Sequence, residues 1–178
     1  MCDIIQEKEG FIMIKIFNTQ LNGVFQKINN QETEIDIAAR LLAQAILGEG
    51  KVYVKGFGDL KYFEEFATSS AERLPDSEKL ITESVIDKTD RVLLMADVYD
   101  DAVIEYIADL DQQDIDYVLI CNKDERISSM NFIDLSTPRA LVPTEDFSRI
   151  ITPHMMAMNY IYYILYATIK EMIDDENA

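Results

Sequence analysis

Between Lys51 and Arg73 the chain reads KVYVKGFGDLKYFEEFATSSAER. Val52-Tyr53-Val54 is a β-branched and aromatic run suited to a strand. It feeds a Gly-x-Gly turn at Gly56-Phe57-Gly58, and a helical pattern follows from Asp59, placed as its N-cap, to Leu74, with Pro75 ending it. A strand that turns through glycines into a helix N-terminus leaves few folds open. It is a unit from which parallel α/β proteins build anion sites. Glycine lets the backbone approach a ligand, and the helix start offers free N–H groups.

The remainder of the chain keeps the alternation going. Ile14, Phe17, Leu21, Val24, Phe25 and Ile28 recur at helical spacing, and Asn29-Asn30 breaks that helix. Ile35, Ala38, Leu41, Leu42, Ala45 and Ile46 form a second helix that stops at Gly48-Glu49-Gly50. A short strand is expected at Leu80-Ile81-Thr82. Buried strands are expected at Val92–Met95, Tyr117–Cys121 and Phe132–Leu135, with a helix over Ala102–Leu110. Ala140-Leu141-Val142 is expected to close the sheet. The last helix, from about Thr152 to Ile173, is apolar nearly all round and suits burial against the sheet and a second subunit.

Strands alternating with helices predict an α/β fold: a three-layer α/β/α sandwich on a mostly parallel five-stranded sheet of flavodoxin-like topology. A pair of N-terminal helices precedes the sheet and a long C-terminal helix follows it. Residues 1–12 read as a flexible leader, 13–174 as a single domain and 175–178 as an acidic tail.

The charge excludes some partners. With 33 acidic and 16 basic residues the net charge is −17, which disfavours nucleic acid and an anionic membrane surface. The acidity itself serves either solubility or the steering of a cationic partner. Two cysteines, Cys2 and Cys121, and no signal-peptide pattern point to a reduced, cytoplasmic setting. One histidine rules out a zinc site built from several His and Cys within one chain, while an all-oxygen Mg²⁺ site stays open. No metal and no cofactor is assigned.

Ligands of parallel sheets bind beyond the C-terminal strand ends. That rule selects Gly56, Phe57, Gly58, Asp59 and Lys61 on the first loop, and Asp97, Tyr99 and Asp100 on the second. It adds Asn122 after the fourth strand and His154 at the start of the last helix. Each has a structural alternative. The glycines also suit a tight turn, Asp100 also suits an N-cap, Asn122 also suits a turn, and His154 also suits a hydrogen bond to a loop. His154 and Glu72 are the candidates for acid–base work.

Three segments resemble the SIS (sugar isomerase) family, in particular its phosphoheptose isomerase branch and a short SIS-like family of Gram-positive bacteria. They are VYVKGFGDLKYFEEFA, DRVLLMADVYDDAVIEYIADL and VPTEDFSRIITPHMMAMNYIYYIL. The last is similar to the family's lead into its final helix, with Val142, Pro143, Asp146, Arg149, Ile150 and His154 matching. The resemblance implies a strand-end pocket for a sugar phosphate or related carbohydrate derivative, and a homodimer or homotetramer. From members that act by binding proteins it implies, as an alternative, a role as a protein-interaction module. Departures bear on the chemistry. Asp59-Leu60 replaces the serine of the first loop, and Ala96-Asp97-Val98-Tyr99-Asp100 replaces the hydroxyl-rich second loop. Ser70 and Asn159 fall where phosphoheptose isomerases carry their catalytic Glu and His, so the isomerase reaction is not expected to carry over.

Overall fold

The computed structural model describes the backbone of residues 2–176 and the side chains of residues 13–176. Two helices open the chain, α1 (Cys2–Asn29) and α2 (Glu32–Leu47). The helical backbone of α1 reaches back to Cys2, across the leader read as flexible. Ile35, Ala38, Leu42 and Ala45 form the buried stripe of α2.

Five strands make the main sheet: β1 (Val52–Gly56), β2 (Ser77–Lys79), β3 (Arg91–Met95), β4 (Tyr117–Cys121) and β5 (Phe132–Asp134). Their order is β2-β1-β3-β4-β5, and every pairing is parallel. The chain moves outward from β1 in one direction to β2 and in the other to β3. That is the flavodoxin-like order, with its switch point between β1 and β3. Three further helices are α3 (Phe63–Ser69), α4 (Asp101–Gln112) and α5 (His154–Glu176). The expected α/β/α sandwich is therefore the observed one.

Strand alternation builds the layers. Val52, Val54, Leu93, Met95, Val118, Ile120 and Ile133 point to one face, where α1, α2, α3 and α5 bury them. Tyr53, Val92, Leu94, Leu119 and Cys121 point to the other, covered by Val103, Ile107 and Leu110 of α4. Both faces are apolar, so the central strands read as continuous apolar runs rather than alternating ones. On α5, Ala157, Met158, Ile161, Tyr162, Leu165 and Ile169 are buried.

Three expectations change. The helix expected over Asp59–Leu74 is a 3-10 turn (Gly58–Tyr62) followed by the short α3. Asp59 is not its N-cap; Phe57 precedes the turn. From the last turn of α3 onward, side chains rather than a further helical turn satisfy the carbonyls. Tyr162 donates to the carbonyls of Ala67 (3.2 Å) and Glu72 (2.8 Å), and Ser77 to that of Leu74 (2.7 Å). The strand expected at Leu80–Thr82 lies earlier, at Ser77–Lys79. Ala140-Leu141-Val142 does not close the sheet. Strands β6 (Val142–Pro143) and β7 (Arg149–Ile150) form a separate antiparallel hairpin. Pro143 has no N–H to give a central ladder, which suits a two-stranded edge. Among the described residues no helix is long and apolar enough to cross a membrane.

Candidate functional site

The C-terminal ends of β1, β3, β4 and β5 meet the start of α5. The first loop was expected to offer free N–H groups to an anion, but most of them are already engaged. The Gly56 N–H donates to Glu64 Oε1 at 2.8 Å, and the Phe57 N–H to the Met95 carbonyl at 2.8 Å. The Leu60 N–H donates to the Phe57 carbonyl at 3.1 Å, closing the 3-10 turn. The Asp59 N–H makes a long 3.5 Å approach to Asp97 Oδ2. The chain thus turns its own carboxylates, Glu64 and Asp97, onto donors that a phosphate would use.

Gly58 is required here. Its φ is +56°, a left-handed conformation, and a Cβ would stand 1.9 Å from Asp97 Oδ1. At Gly56 a Cβ would stand 2.5 Å from the Leu60 carbonyl oxygen. Both glycines serve the tight turn, and Gly58 also makes room for the carboxylate.

From Asp97 a hydrogen-bonded chain crosses the strand ends. Asn122 Nδ2 donates to the Asp97 carbonyl at 2.7 Å. Asn122 Oδ1 accepts the Thr137 N–H at 2.7 Å and the Thr137 hydroxyl at 3.2 Å. Backbone groups of fixed polarity on both sides therefore set which end of the amide is which. Thr137 Oγ1 lies 2.7 Å from His154 Nδ1. A Thr137 proton directed at Asn122 leaves Nδ1 as the donor to Thr137 and Nε2 with the lone pair, and one directed at Nδ1 reverses those roles. One donor atom from each of Asp59, Asp97 and His154 lies within 4.8 Å of the other two.

Of the residues selected from sequence, Gly58, Asp59, Asp97, Asn122 and His154 come together. Asp100 does not join them: its Oδ1 accepts the Val103 N–H at 3.1 Å and caps α4. Tyr99 is buried beneath Arg126, whose guanidinium sits 5.4 Å from the ring centroid, and burial raises its phenol. Phe57 packs edge-on against Tyr106, and the Lys55 ammonium lies 5.8 Å from the Phe57 ring. Lys61 is exposed on the 3-10 turn. Glu72 is exposed beyond the end of α3, its carbonyl held by Tyr162, and is not part of the cluster. Cys121 ends β4, but burial pushes its thiol up to about 12, so it is no nucleophile near neutrality.

Thr137 and Glu64 were missed. Thr137 is 1% exposed and lies just past β5, within the strand-end rule. Glu64 reaches eight residues back to Gly56, a contact with no periodic signature.

A family model described as a domain of unknown function (DUF2529) matches residues 13–173. The uncharacterized protein YwjG of Bacillus subtilis (strain 168) is 31% identical over 172 residues, spanning 92% of this chain and 99% of that protein. Among solved structures, a hypothetical protein of Methanococcus jannaschii superposes with TM-score 0.63 at 13% identity, covering 88% of this chain and 90% of that one. Its description infers 3-hexulose-6-phosphate isomerase function. Phosphoheptose isomerase of Neisseria gonorrhoeae superposes with TM-score 0.61 at 13% identity, covering 93% and 99%. At this identity these two share the fold with the chain.

Proposed function

The chain belongs to the DUF2529 family, and from its strand-end site we propose that it binds a small carbohydrate derivative, such as a sugar phosphate, without the isomerisation for which its fold neighbours are named. The observation that carries this reading is the linked cluster of Asp97, Asn122, Thr137 and His154, which crosses the ends of three parallel strands to the start of α5. Carboxylates suit sugar hydroxyls, which donate to them, and an imidazole exchanges hydrogen bonds with the same groups. The absence of an acid–base pair at Ser70 and Asn159 is what separates binding from turnover.

Thermal melting against a panel of sugar phosphates, amino sugars and nucleotides tests the reading. A ligand at 100 times its Kd adds about 2.7 kcal/mol, a Tm rise of roughly 5–10 °C for a chain of this size. The expected result is a rise with one carbohydrate class and no isomerase product from that compound. A flat panel with folded protein would overturn it.

A second reading, a self-associating or partner-binding module, has its own observation. Phe147 at the tip of the β6–β7 hairpin is 98% exposed, and Ile150, Ile151, Met155 and Met156 are exposed beside it in sequence. On this reading the protein is a homodimer or homotetramer, and Phe147→Asp lowers its mass in sedimentation without changing any ligand-induced rise in Tm. The free, buried Cys121 accords with a reduced, cytoplasmic setting for either reading.

A further inference from the structure

We propose that Asp59, Asp97 and His154 form a divalent-cation site, of the type that takes Mn²⁺ or Zn²⁺. The role of the cation rests on the carbohydrate reading above: it would hold a phosphorylated or polyhydroxy ligand against a loop that otherwise repels it.

Four observations lead there. The first is the donor set. Two carboxylates and one imidazole are hard and borderline donors, a combination that suits first-row divalent cations rather than Cu⁺ or an iron–sulfur cluster. Their donor atoms lie within 4.8 Å of one another. Donors about 2.1 Å from a shared cation stand at most about 4.2 Å apart, so closure asks only a few tenths of an ångström from side chains on flexible torsions.

The second is the imidazole. Metal-bound histidines almost always commit their other ring N–H to a neighbouring oxygen, which fixes the tautomer and the ring plane. His154 has such a partner in Thr137, at 2.7 Å from Nδ1. Thr137 is buried and is itself fixed by Asn122, so the imidazole is held from behind through Nδ1, which leaves Nε2 as the ring nitrogen for a cation.

The third is uncompensated charge. None of the salt bridges among the described residues involves Asp59 or Asp97. Lys55 leans over the rings of Phe57 and Tyr106 instead. Two carboxylates this close repel, in a protein whose net charge is −17. A dication between them removes that repulsion and adds a positive centre for a phosphate or vicinal hydroxyls.

The fourth is the room made for Asp97. Gly58 leaves no side chain where Asp97 Oδ1 sits, at the one loop position where a Cβ would displace it. The sequence carries the exchange of a hydroxyl-rich loop for Asp97, and the structure places that carboxylate beside a second one and a histidine.

The test uses the full chain, stripped of metal by chelation, with Mn²⁺ alone as the probe and no sugar present. Electron paramagnetic resonance counts bound Mn²⁺, and echo-modulation spectra report a nitrogen ligand. The expected result is one Mn²⁺ per chain with a ¹⁴N modulation. Asp97→Asn and His154→Gln each weaken binding at least about tenfold, and His154→Gln removes the modulation. Thr137→Val, which keeps the shape and removes the hydroxyl, weakens binding by about 10–100-fold as an orienting partner should. Asp134→Asn, another strand-end aspartate outside the cluster, leaves binding unchanged, and far-ultraviolet dichroism confirms that each variant is folded. Absence of stoichiometric binding overturns the site. So does binding that ignores Asp97→Asn and His154→Gln, the behaviour of a diffuse acidic surface. A cation bound as expected, with no carbohydrate raising Tm in its presence, would leave the site standing and remove the carbohydrate reading. A carbohydrate that binds equally with chelator present would do the reverse to the bridging role.

Discussion

Asp97 and Asp134 stand beyond neighbouring parts of the same sheet and are treated differently by the chain around them. Asp134, the last residue of β5, is held from three sides. Its Oδ1 accepts the Lys123 N–H at 3.1 Å and the Ser136 N–H at 2.9 Å, and its Oδ2 accepts the Ser136 hydroxyl at 3.0 Å. Its backbone is clamped as well: the Gln31 amide donates to the Asp134 carbonyl at 2.8 Å and accepts its N–H at 2.7 Å. Gln31 thereby stands in for the next strand on that edge. Asp97, two residues beyond β3, has one long approach at 3.5 Å and an open side toward Asp59 and His154. A carboxylate saturated by its own backbone is structural. One with a single long contact at a partly exposed position keeps lone pairs open to water or a ligand.

Asn122 is where the comparison can be broken outright, because it ties the Asp97 carbonyl to the buried N–H of Thr137. Asn122→Ala leaves that N–H unpaired and should cost about 1–3 kcal/mol, a Tm fall of roughly 2–10 °C, together with the orientation of His154. An unchanged Tm would mean that the chain of hydrogen bonds carries no strain or order. Next in size, Asp134→Ala strips two backbone donors of their acceptor at a partly exposed site and should cost about 1–2 kcal/mol by denaturant melting. Asp97→Asn should change stability by no more than about 0.5 kcal/mol. If the two aspartates cost the same, the contrast drawn between them is wrong. Gly58→Ala should cost as much as Asp134→Ala. It forces a Cβ into a left-handed conformation, at about 1–2 kcal/mol, and pushes Asp97 aside.

The sheet was legible because parallel strands buried on both faces advertise themselves. Val92–Met95 and Tyr117–Cys121 are short apolar runs without interruption, the pattern of a strand covered on both faces. The hairpin was not. Leu141-Val142 looks like another such strand, but its partner Arg149-Ile150 is short, exposed and set by a turn rather than by burial. The site divides the same way. Asp97, Asn122 and His154 followed from the rule that ligands gather at strand ends. Glu64, Thr137 and Gln31 did not, because each acts through a contact that only the fold creates; Gln31 reaches a residue 103 positions away. The same limit led Asp59 to be read as an N-cap. Its spacing from the glycines is right, but the turn there is 3-10 and Phe57 precedes it.

The smallest effect sharpens the comparison with a third aspartate. Asp146 sits in the turn of the β6–β7 hairpin and is saturated like Asp134. The hydroxyls of Thr144 (2.5 Å) and Ser148 (2.8 Å) and the Ser148 N–H (3.2 Å) all donate to its Oδ1. These donors, led by the Thr144 hydroxyl, hold its carboxyl down to about 2 against an ordinary 3.8. The sign follows from that depression. The ionised group stabilises the turn fully above its unfolded value of 3.8, and the contribution is lost as pH falls through about 2. Because Asp146 is exposed, the consequence is local, a loosening of the turn that presents Phe147 rather than loss of the fold. A pH titration of the Ser148 amide resonance should therefore show its midpoint near 2, with Asp146→Asn flattening the curve. A midpoint near 3.8 would show that the donors around Asp146 do not hold it, and that a crowded carboxylate in this protein is no evidence of a satisfied one.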